Sequence, residues 1–386
     1  MPSPLDWIPD ELNRLREESL FRETRLVTPL GNGRCEIDNR ELIDFGSNDY
    51  LDLATSESLK SAAATAIQAY GVGARASALV SGRHPEYERL CRALAVFEGA
   101  EEALLFPTGY MANVGTINAL IGPNDTVFCD RLNHASLVDG CRLSRARFRI
   151  YPHADMSVLE RELSKTESGR KLIVTDGLFS MDGDLAPLPE IWSLAEHHNA
   201  MLLVDEAHAT GIFGEHGRGS VEHFGLEKKP VVRVGTLSKA NGCLGGFVTG
   251  TQALIDYLRN KAGTQIYATG LPAGICAAAS AAIQHIEKHP EQRTRLRGLS
   301  DLLRSLFRRN EILFAAGSCG PIVPVILHDP GRAVTVSGEL HDAGFFVPSI
   351  RPPTVPAGTS RLRITISSAH TEEDIRSLVS KLRDVL

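Results

Sequence analysis

Between residues 103 and 260 the chain alternates short apolar runs with stretches of helical spacing, and this alternation narrows the fold more than any other feature. The runs fall at 103–106, 126–129, 147–151, 172–175, 201–204, 231–234 and 247–249. Helical patterns fill the gaps at 110–121, 135–143, 157–166, 187–198 and 251–260. Alternating strand and helix predicts an α/β domain with a mostly parallel sheet. Ligands of such sheets sit beyond the carboxyl ends of the strands. Polar residues follow these strands directly: Thr108, Gly109 and Tyr110; Asp130 and His134; Asp176 and Ser180; Asp205 and His208; Thr236 and Lys239.

The flanks read differently. Leu12, Leu15, Leu20 and Phe21 predict an amphipathic helix within 5–25, and 35–45 predicts a hairpin turning at Asp38-Asn39. An Ala-rich helix over 57–70 and another over 84–98 enclose a loop that begins Gly71-Val-Gly-Ala-Arg-Ala76. A dinucleotide fingerprint must follow a strand. Here a helix comes first, so the segment reads as a loop with backbone donors. Residues 272–308 predict long helices broken at Pro290. Strands at 322–327, 345–347 and 361–366 then mix with helices at 331–343 and 371–385, as in a smaller α+β domain. A chain of 386 residues exceeds one simple core. The expected division is a large α/β domain over 51–288 and a small domain over 289–386, with residues 1–50 packing on the small one.

Composition excludes several classes. Net charge is −6, which does not favour a nucleic-acid partner. No apolar run approaches a membrane span, and the first ten residues lack the basic and apolar regions of a signal peptide. The seven cysteines are scattered without a Cys-x-x-Cys pair, which fits reduced thiols in a cytoplasmic protein and no metal site.

Lys239 stands apart among the lysines. It has Thr236 and Ser238 before it and a glycine-rich turn ending at Gly246 after it. A lysine in a water-poor setting can present a neutral amine that forms a Schiff base with a carbonyl. Asp205-Glu-Ala-His208 ends a strand, and a carboxylate there is costly to bury without a cation. It matches motif II of a DEAH-type helicase, but that nucleotide-binding reading needs a Walker A loop, and the chain has no Gly-Lys dipeptide. It also suits an acid that holds the protonated ring nitrogen of pyridoxal 5′-phosphate (PLP). A helix-capping aspartate is the structural alternative. Thr108-Gly109-Tyr110 begins a helix, where backbone N–H groups bind phosphate. His134 could lie flat on a conjugated ring.

The order Asn133-His-Ala-Ser136, Asp176-Gly-Leu-Phe-Ser-Met-Asp-Gly-Asp184, Asp205-Glu-Ala-His208, Thr236-Leu-Ser-Lys239 resembles the α-oxoamine synthases. These are fold-type I PLP enzymes that join an amino acid to an acyl-CoA with loss of CO2. The resemblance runs from about Arg22 to the C-terminal helix. Within the family, Arg351-Pro-Pro-Thr354, Leu79-Val-Ser-Gly82 and Ile266-Tyr-Ala-Thr-Gly-Leu-Pro272 resemble the branch that condenses L-alanine with a pimeloyl thioester. Glycine-using and serine-using branches are the nearer alternatives. The resemblance implies that Lys239 holds PLP covalently and then acts as base, that Asp205 holds the ring nitrogen, and that His208 bonds the phenolic oxygen. His134 would stack on the ring, and Gly109, Tyr110, Ser180 and Thr236 would contact the cofactor. Thr269 would reach the cofactor of the second copy in a homodimer with shared sites. Arg351 would take the amino-acid carboxylate, Asn48 and Thr354 would line the substrate pocket, and Arg22 would meet the acyl substrate. Tyr87 departs from the pattern, which usually has a histidine there.

Overall fold

The computed structural model describes residues 3–386. Its first elements are helix α1 (Ile8–Glu17), strands β1 (Thr28–Gly31), β2 (Arg34–Ile37) and β3 (Arg40–Asp44), and helices α2 (Glu57–Tyr70) and α3 (Pro85–Glu98). The alternating stretch follows: β4 (Glu102–Phe106), α4 (Gly109–Leu120), β5 (Thr126–Asp130), α5 (Ala135–Leu143), β6 (Arg147–Tyr151), α6 (Met156–Ser164), β7 (Lys171–Asp176) and α7 (Leu188–His197). It continues through β8 (Met201–Asp205), α8 (Ser220–His223), β9 (Val232–Thr236), β10 (Gly246–Gly250), α9 (Gln252–Lys261) and α10 (Gly263–Ile266). Helices α11 (Ala273–Lys288) and α12 (Pro290–Arg309) come next. The last elements are β11 (Ile322–His328), α13 (Pro330–Asp342), β12 (Phe345–Phe346), β13 (Ser349–Ile350), β14 (Ser360–Thr365) and α14 (Glu372–Val385). Two compact units emerge. One holds residues 51–180 and 184–294; the other holds residues 3–50 together with 181–183 and 295–386.

The larger unit is an α/β layer built on a seven-stranded sheet in the order β4-β10-β9-β8-β7-β5-β6. Strand β10 runs antiparallel to both its neighbours, and the other pairings are parallel. Side chains alternate between two cores, as a period of two requires. Leu203 joins Phe106, Ile117, Val127, Val174 and Val248 on one face. Its neighbours Leu202 and Val204 join Phe128, Ile173, Leu188 and Ile191 on the other. A sheet covered on both faces explains why β5, β7 and β8 read as continuous apolar runs. Strand β6 is the exception and the edge: Arg147 and Arg149 are exposed, which blunts pairing with another chain. Helix α4 starts where the Thr108 hydroxyl accepts from the Met111 N–H at 3.1 Å.

The smaller unit contains two sheets. One has the order β1-β2-β3-β12, with β12 parallel to β3; the other is antiparallel in the order β11-β14-β13. Helix α14 opens with a capping box between Thr371 and Asp374, and Asp374 also receives Arg34 at 2.8 Å. Residues 40–44 thus pair with residues far along the chain, Phe345 opposite Ile43.

Two expectations are corrected here. The N-terminal helix covers only Ile8–Glu17, because Ser19 turns into the left-handed region at φ 55°. Leu20 and Phe21 therefore lie outside it, and the Phe21 ring instead lies under the Arg16 guanidinium at 4.3 Å. Strand β1 was not expected. Its residues are exposed or only partly buried and include Pro29, so no alternation marks it.

Candidate active site

The register of the large sheet gathers the polar strand ends on one rim. Asp176 and Asp205 are cross-strand partners, Asp205 lies opposite Val234, and Gly246 lies opposite both Thr236 and Phe106. The ends of β4, β7, β8 and β9 therefore share an edge with the start of β10. Two glycines let the backbone close up there. A Cβ on Gly246 would lie 2.4 Å from the Thr108 carbonyl oxygen, and one on Gly109 would lie 3.2 Å from the Thr236 side chain. The N-terminus of α4 is thus pressed against the end of β9. As first-turn residues, Gly109 and Tyr110 present N–H groups that have no acceptor within the helix.

Asp205 is buried at the end of β8. Its Oδ2 accepts from Asn113 Nδ2 at 2.6 Å, and its Oδ1 accepts from the Ala207 N–H at 2.8 Å. Asp176 beside it is 2 % exposed. Burial, and after it the Asp205 charge, push the Asp176 carboxyl well above the usual range, while Lys239 opposes. Asp176 Oδ2 accepts from the His134 backbone N–H at 2.7 Å. Its own N–H donates to Asn133 Oδ1 at 3.0 Å. The following Glu206 serves the fold instead: it accepts from the N–H groups of Ser220 and Val221 and the Ser220 hydroxyl, and so holds the start of α8.

His134 caps α5. Its Nδ1 accepts from the Ser136 N–H at 3.2 Å and lies 2.8 Å from the Ser136 hydroxyl. The side chain is exposed on one side, yet the protein packed around the ring lowers its pKa. The Asp205 charge opposes that shift and Lys239 adds to it. Lys239 is half-buried three residues beyond β9, in a turn closed by the Gly242 N–H donating to the Lys239 carbonyl at 2.8 Å. The Thr236 hydroxyl donates to the Gly245 carbonyl at 2.8 Å and accepts from the Ser238 N–H at 3.2 Å. Tyr110 is exposed, and its phenol donates to Asp139 on α5. His208 is buried in the turn after β8, Ser180 is half-buried after β7, and Thr269 is exposed in the loop after α10.

The rim is braced from the side by His153, which bridges Asp130 at 3.1 Å and Asp184 at 2.8 Å. Burial alone would lower its pKa, but the two carboxylates outweigh burial and push it up to about 10. A raised pKa stabilises the fold fully below the unfolded value of about 6.5 and loses that contribution as pH rises through about 10. The melting-temperature gap between the wild type and His153→Asn is therefore expected to be widest near pH 6 and to narrow by pH 10. A gap that stays constant across that range would refute the bridge.

The remaining expected site residues belong to the smaller unit. There two arginines each hold backbone carbonyls of the segment that carries the other. Arg351 donates to the carbonyls of Ser19 and Phe21, and Arg22 donates to the carbonyls of Arg351 and Pro352, the latter at 2.9 Å. Arg351 is partly desolvated, and Arg22 adds like charge beside it; both lower its pKa. Thr354 is exposed, and its N–H donates to the Arg351 carbonyl at 3.1 Å. Asn48 lies in the loop after β3, its side-chain oxygen 3.4 Å from the Tyr50 hydroxyl.

The sequence pattern of the aminotransferase class I and II family matches residues 40–382. The chain belongs to that family. This aminotransferase-family chain is a transferase, and its curated relatives are specific in name. An 8-amino-7-oxononanoate synthase of Methylococcus capsulatus is 45% identical over 377 residues, covering 97% of each chain. One of Geobacter sulfurreducens is 46% identical over 379 residues, covering 97% of this chain and 96% of its own. Among solved structures, a serine palmitoyltransferase of Sphingomonas wittichii superposes with a TM-score of 0.94 at 30% identity, covering 100% of this chain and 98% of its own. An 8-amino-7-oxononanoate synthase of Francisella tularensis gives 0.78 at 29% identity, covering 89% of this chain and 97% of its own.

Two features of this family member escaped the sequence reading. Asn113 is one buried amide in a helix that is almost wholly buried, and it lies one turn beyond Gly109. That i, i+4 spacing from a rim glycine was the available signal. The surroundings of Tyr87, the position that departs from the family pattern, are the second. His84 caps α3 by accepting from the Tyr87 N–H at 3.1 Å, while its Nε2 lies 2.9 Å from the Leu271 carbonyl. The Tyr87 ring is buried. Among the described residues no cluster of His, Cys, Asp and Glu could hold a metal ion, and no helix is long and apolar enough to cross a membrane.

Proposed function

We propose that the chain is a PLP-dependent acyltransferase that condenses L-alanine with a pimeloyl thioester. It releases CO2 and the free thiol carrier and forms 8-amino-7-oxononanoate, a step of biotin biosynthesis. The names of relatives about 45% identical over nearly the whole chain carry this reading most directly. The rim of the large sheet fits the cofactor. A buried carboxylate, Asp205, suits a protonated ring nitrogen, and the open N–H groups at Gly109 and Tyr110 with the Thr236 hydroxyl suit a phosphate. Structural neighbours solved with bound PLP point the same way.

In this reading Lys239 attaches the cofactor, Asp205 holds its ring nitrogen, and His208 bonds its phenolic oxygen. Ser180 and His134 flank it. Bound PLP supplies an electron sink for charge developing at the α-carbon of the amino acid. The chain supplies the rest. Lys239, released from attachment, takes the α-proton and later returns a proton to the product. His134 donates a hydrogen bond to the thioester oxygen as charge develops there. Arg351 takes the amino-acid carboxylate by a two-point contact, for which it must let go of Ser19 and Phe21. Asn48 and Thr354 contact the substrate, and Arg22 meets the acyl group. A homodimer completes the sites, with Thr269 reaching the cofactor of the second copy. Exposed apolar side chains beside that loop, Tyr267 at 88% and Val72 and Val80 at 79%, support such an interface.

The close superposition on serine palmitoyltransferases makes a serine-using enzyme the second reading. Purified protein with PLP is mixed with pimeloyl-CoA and L-alanine, glycine or L-serine in turn, and free thiol and product mass are followed. Turnover with L-alanine alone is the expected result. Turnover with serine or glycine and none with alanine would replace this reading.

A further inference from the structure

We propose that Asn113 and Ser136 are positioning residues that hold His134 as a neutral imidazole with its proton on Nε2. The argument runs along a buried chain of hydrogen bonds. Asn113 Nδ2 lies 2.6 Å from Asp205 Oδ2, and only the NH2 end of the amide can donate to a carboxylate oxygen. The second hydrogen of that NH2 faces Ser136 Oγ at 2.9 Å, so the hydroxyl oxygen accepts. Its single proton is then free to point at His134 Nδ1, 2.8 Å away. The Ser136 backbone N–H, which can only donate, meets the same nitrogen at 3.2 Å. Two donors on one ring nitrogen leave it a lone pair. The proton of a neutral ring therefore sits on Nε2.

The bond from the Ser136 N–H is the N-cap of α5. Two further observations agree. Burial of the ring and the nearby Lys239 favour its neutral form over the pull of Asp205. Asn113 Oδ1 is buried without a partner, so its two donors decide how the amide is turned. Nε2 has no hydrogen-bond partner among the described residues, and His134 is exposed. His134 therefore offers the rim a donor, never an acceptor. That this donor faces a thioester oxygen rests on the function proposed above; the tautomer itself does not.

The chain has 13 histidines. Magic-angle-spinning 15N NMR of histidine-labelled holoenzyme, with His134→Asn for assignment, reads the two nitrogens without substrate. Nδ1 is expected at a pyridine-type shift and Nε2 at a pyrrole-type shift. Asn113→Ala and Ser136→Ala are expected to mix the two tautomers, and Ser136→Thr to restore the wild-type pattern. The alanine variants are also expected to lose about tenfold in kcat, with KM for the amino acid within about twofold. A pyrrole-type Nδ1 or an imidazolium in the wild type would overturn the proposal. So would wild-type shifts in both alanine variants. If Asn113→Ala fails to fold, the wild type and Ser136→Ala still decide. Because no substrate is present, failure here is separable from failure of the proposed reaction.

Discussion

Lys239→Ala is expected to lower turnover by about a thousandfold or more and to abolish borohydride-stable attachment of PLP to the chain. In the proposed reaction two jobs would be lost together: the amine that attaches the cofactor and the base that moves the α-proton. The fold should survive. Lys239 is half-buried outside both cores of the sheet, and the turn that carries it is closed by the Gly242 N–H donating to the Lys239 carbonyl, a backbone bond that the substitution keeps. Its cationic charge is nonetheless felt by His134 and Asp176, both of which it biases toward deprotonation. Lys239→Arg separates charge from chemistry, because guanidinium keeps the charge but is not a nucleophile at neutral pH. Equal loss in both variants, with melting temperatures near the wild type, assigns the effect to the amine. Substantial turnover in Lys239→Ala would remove this residue from the reaction.

Much of the large unit was legible in the sequence, for a physical reason. Strands covered on both faces must be apolar throughout, so β5, β7 and β8 announced themselves, and polar residues could only follow at their ends. Asp205, His134 and Lys239 were picked out on that logic. What stayed hidden depends on pairing across long sequence separations. Strand β12 has two residues and pairs with β3 some 300 positions earlier, as Phe345 with Ile43. No local pattern encodes that. Strand β10 has an ordinary apolar pattern, and its antiparallel direction follows from the short turn that returns it beside β9. Asn113 was missed for another reason. Its spacing from Gly109 was a faint signal, and a lone asparagine in an apolar helix acquires a partner only when the helix is packed and its amide is found 2.6 Å from Asp205.

The two arginines illustrate the same limit in the small unit. Their types suggested anion binding, and the sequence could add nothing about what they touch in the absence of an anion. In the structure each guanidinium is spent on backbone carbonyls of the segment that carries the other. Under the proposed function, substrate binding at Arg351 would exchange these neutral acceptors for a carboxylate. A carboxylate would add its own charge and a parallel two-point match to the planar guanidinium, which separate carbonyls do not offer.

Asp205→Ala is expected to cost at least about a hundredfold in turnover and to weaken PLP retention while leaving the chain folded. Removal of the carboxylate takes the acceptor from one N–H of the buried Asn113 amide and from the part-buried Ala207 N–H, and a buried donor left unpaired costs about 1–3 kcal/mol. It also relieves the repulsion that Asp205 exerts on Asp176. The two effects oppose each other, so the loss of stability should be smaller than the stranded donors alone would give. The sign of the second effect can be read separately. Burial remains the largest influence on Asp176, so its pKa stays raised; without the Asp205 charge it ionises at a lower pH than in the wild type. Infrared difference spectra of the carbonyl stretch should place that midpoint lower in Asp205→Ala and in Asp205→Asn. A midpoint that does not move would mean the two carboxyl groups are not coupled. Full activity in Asp205→Asn would show that no ring nitrogen depends on this carboxylate.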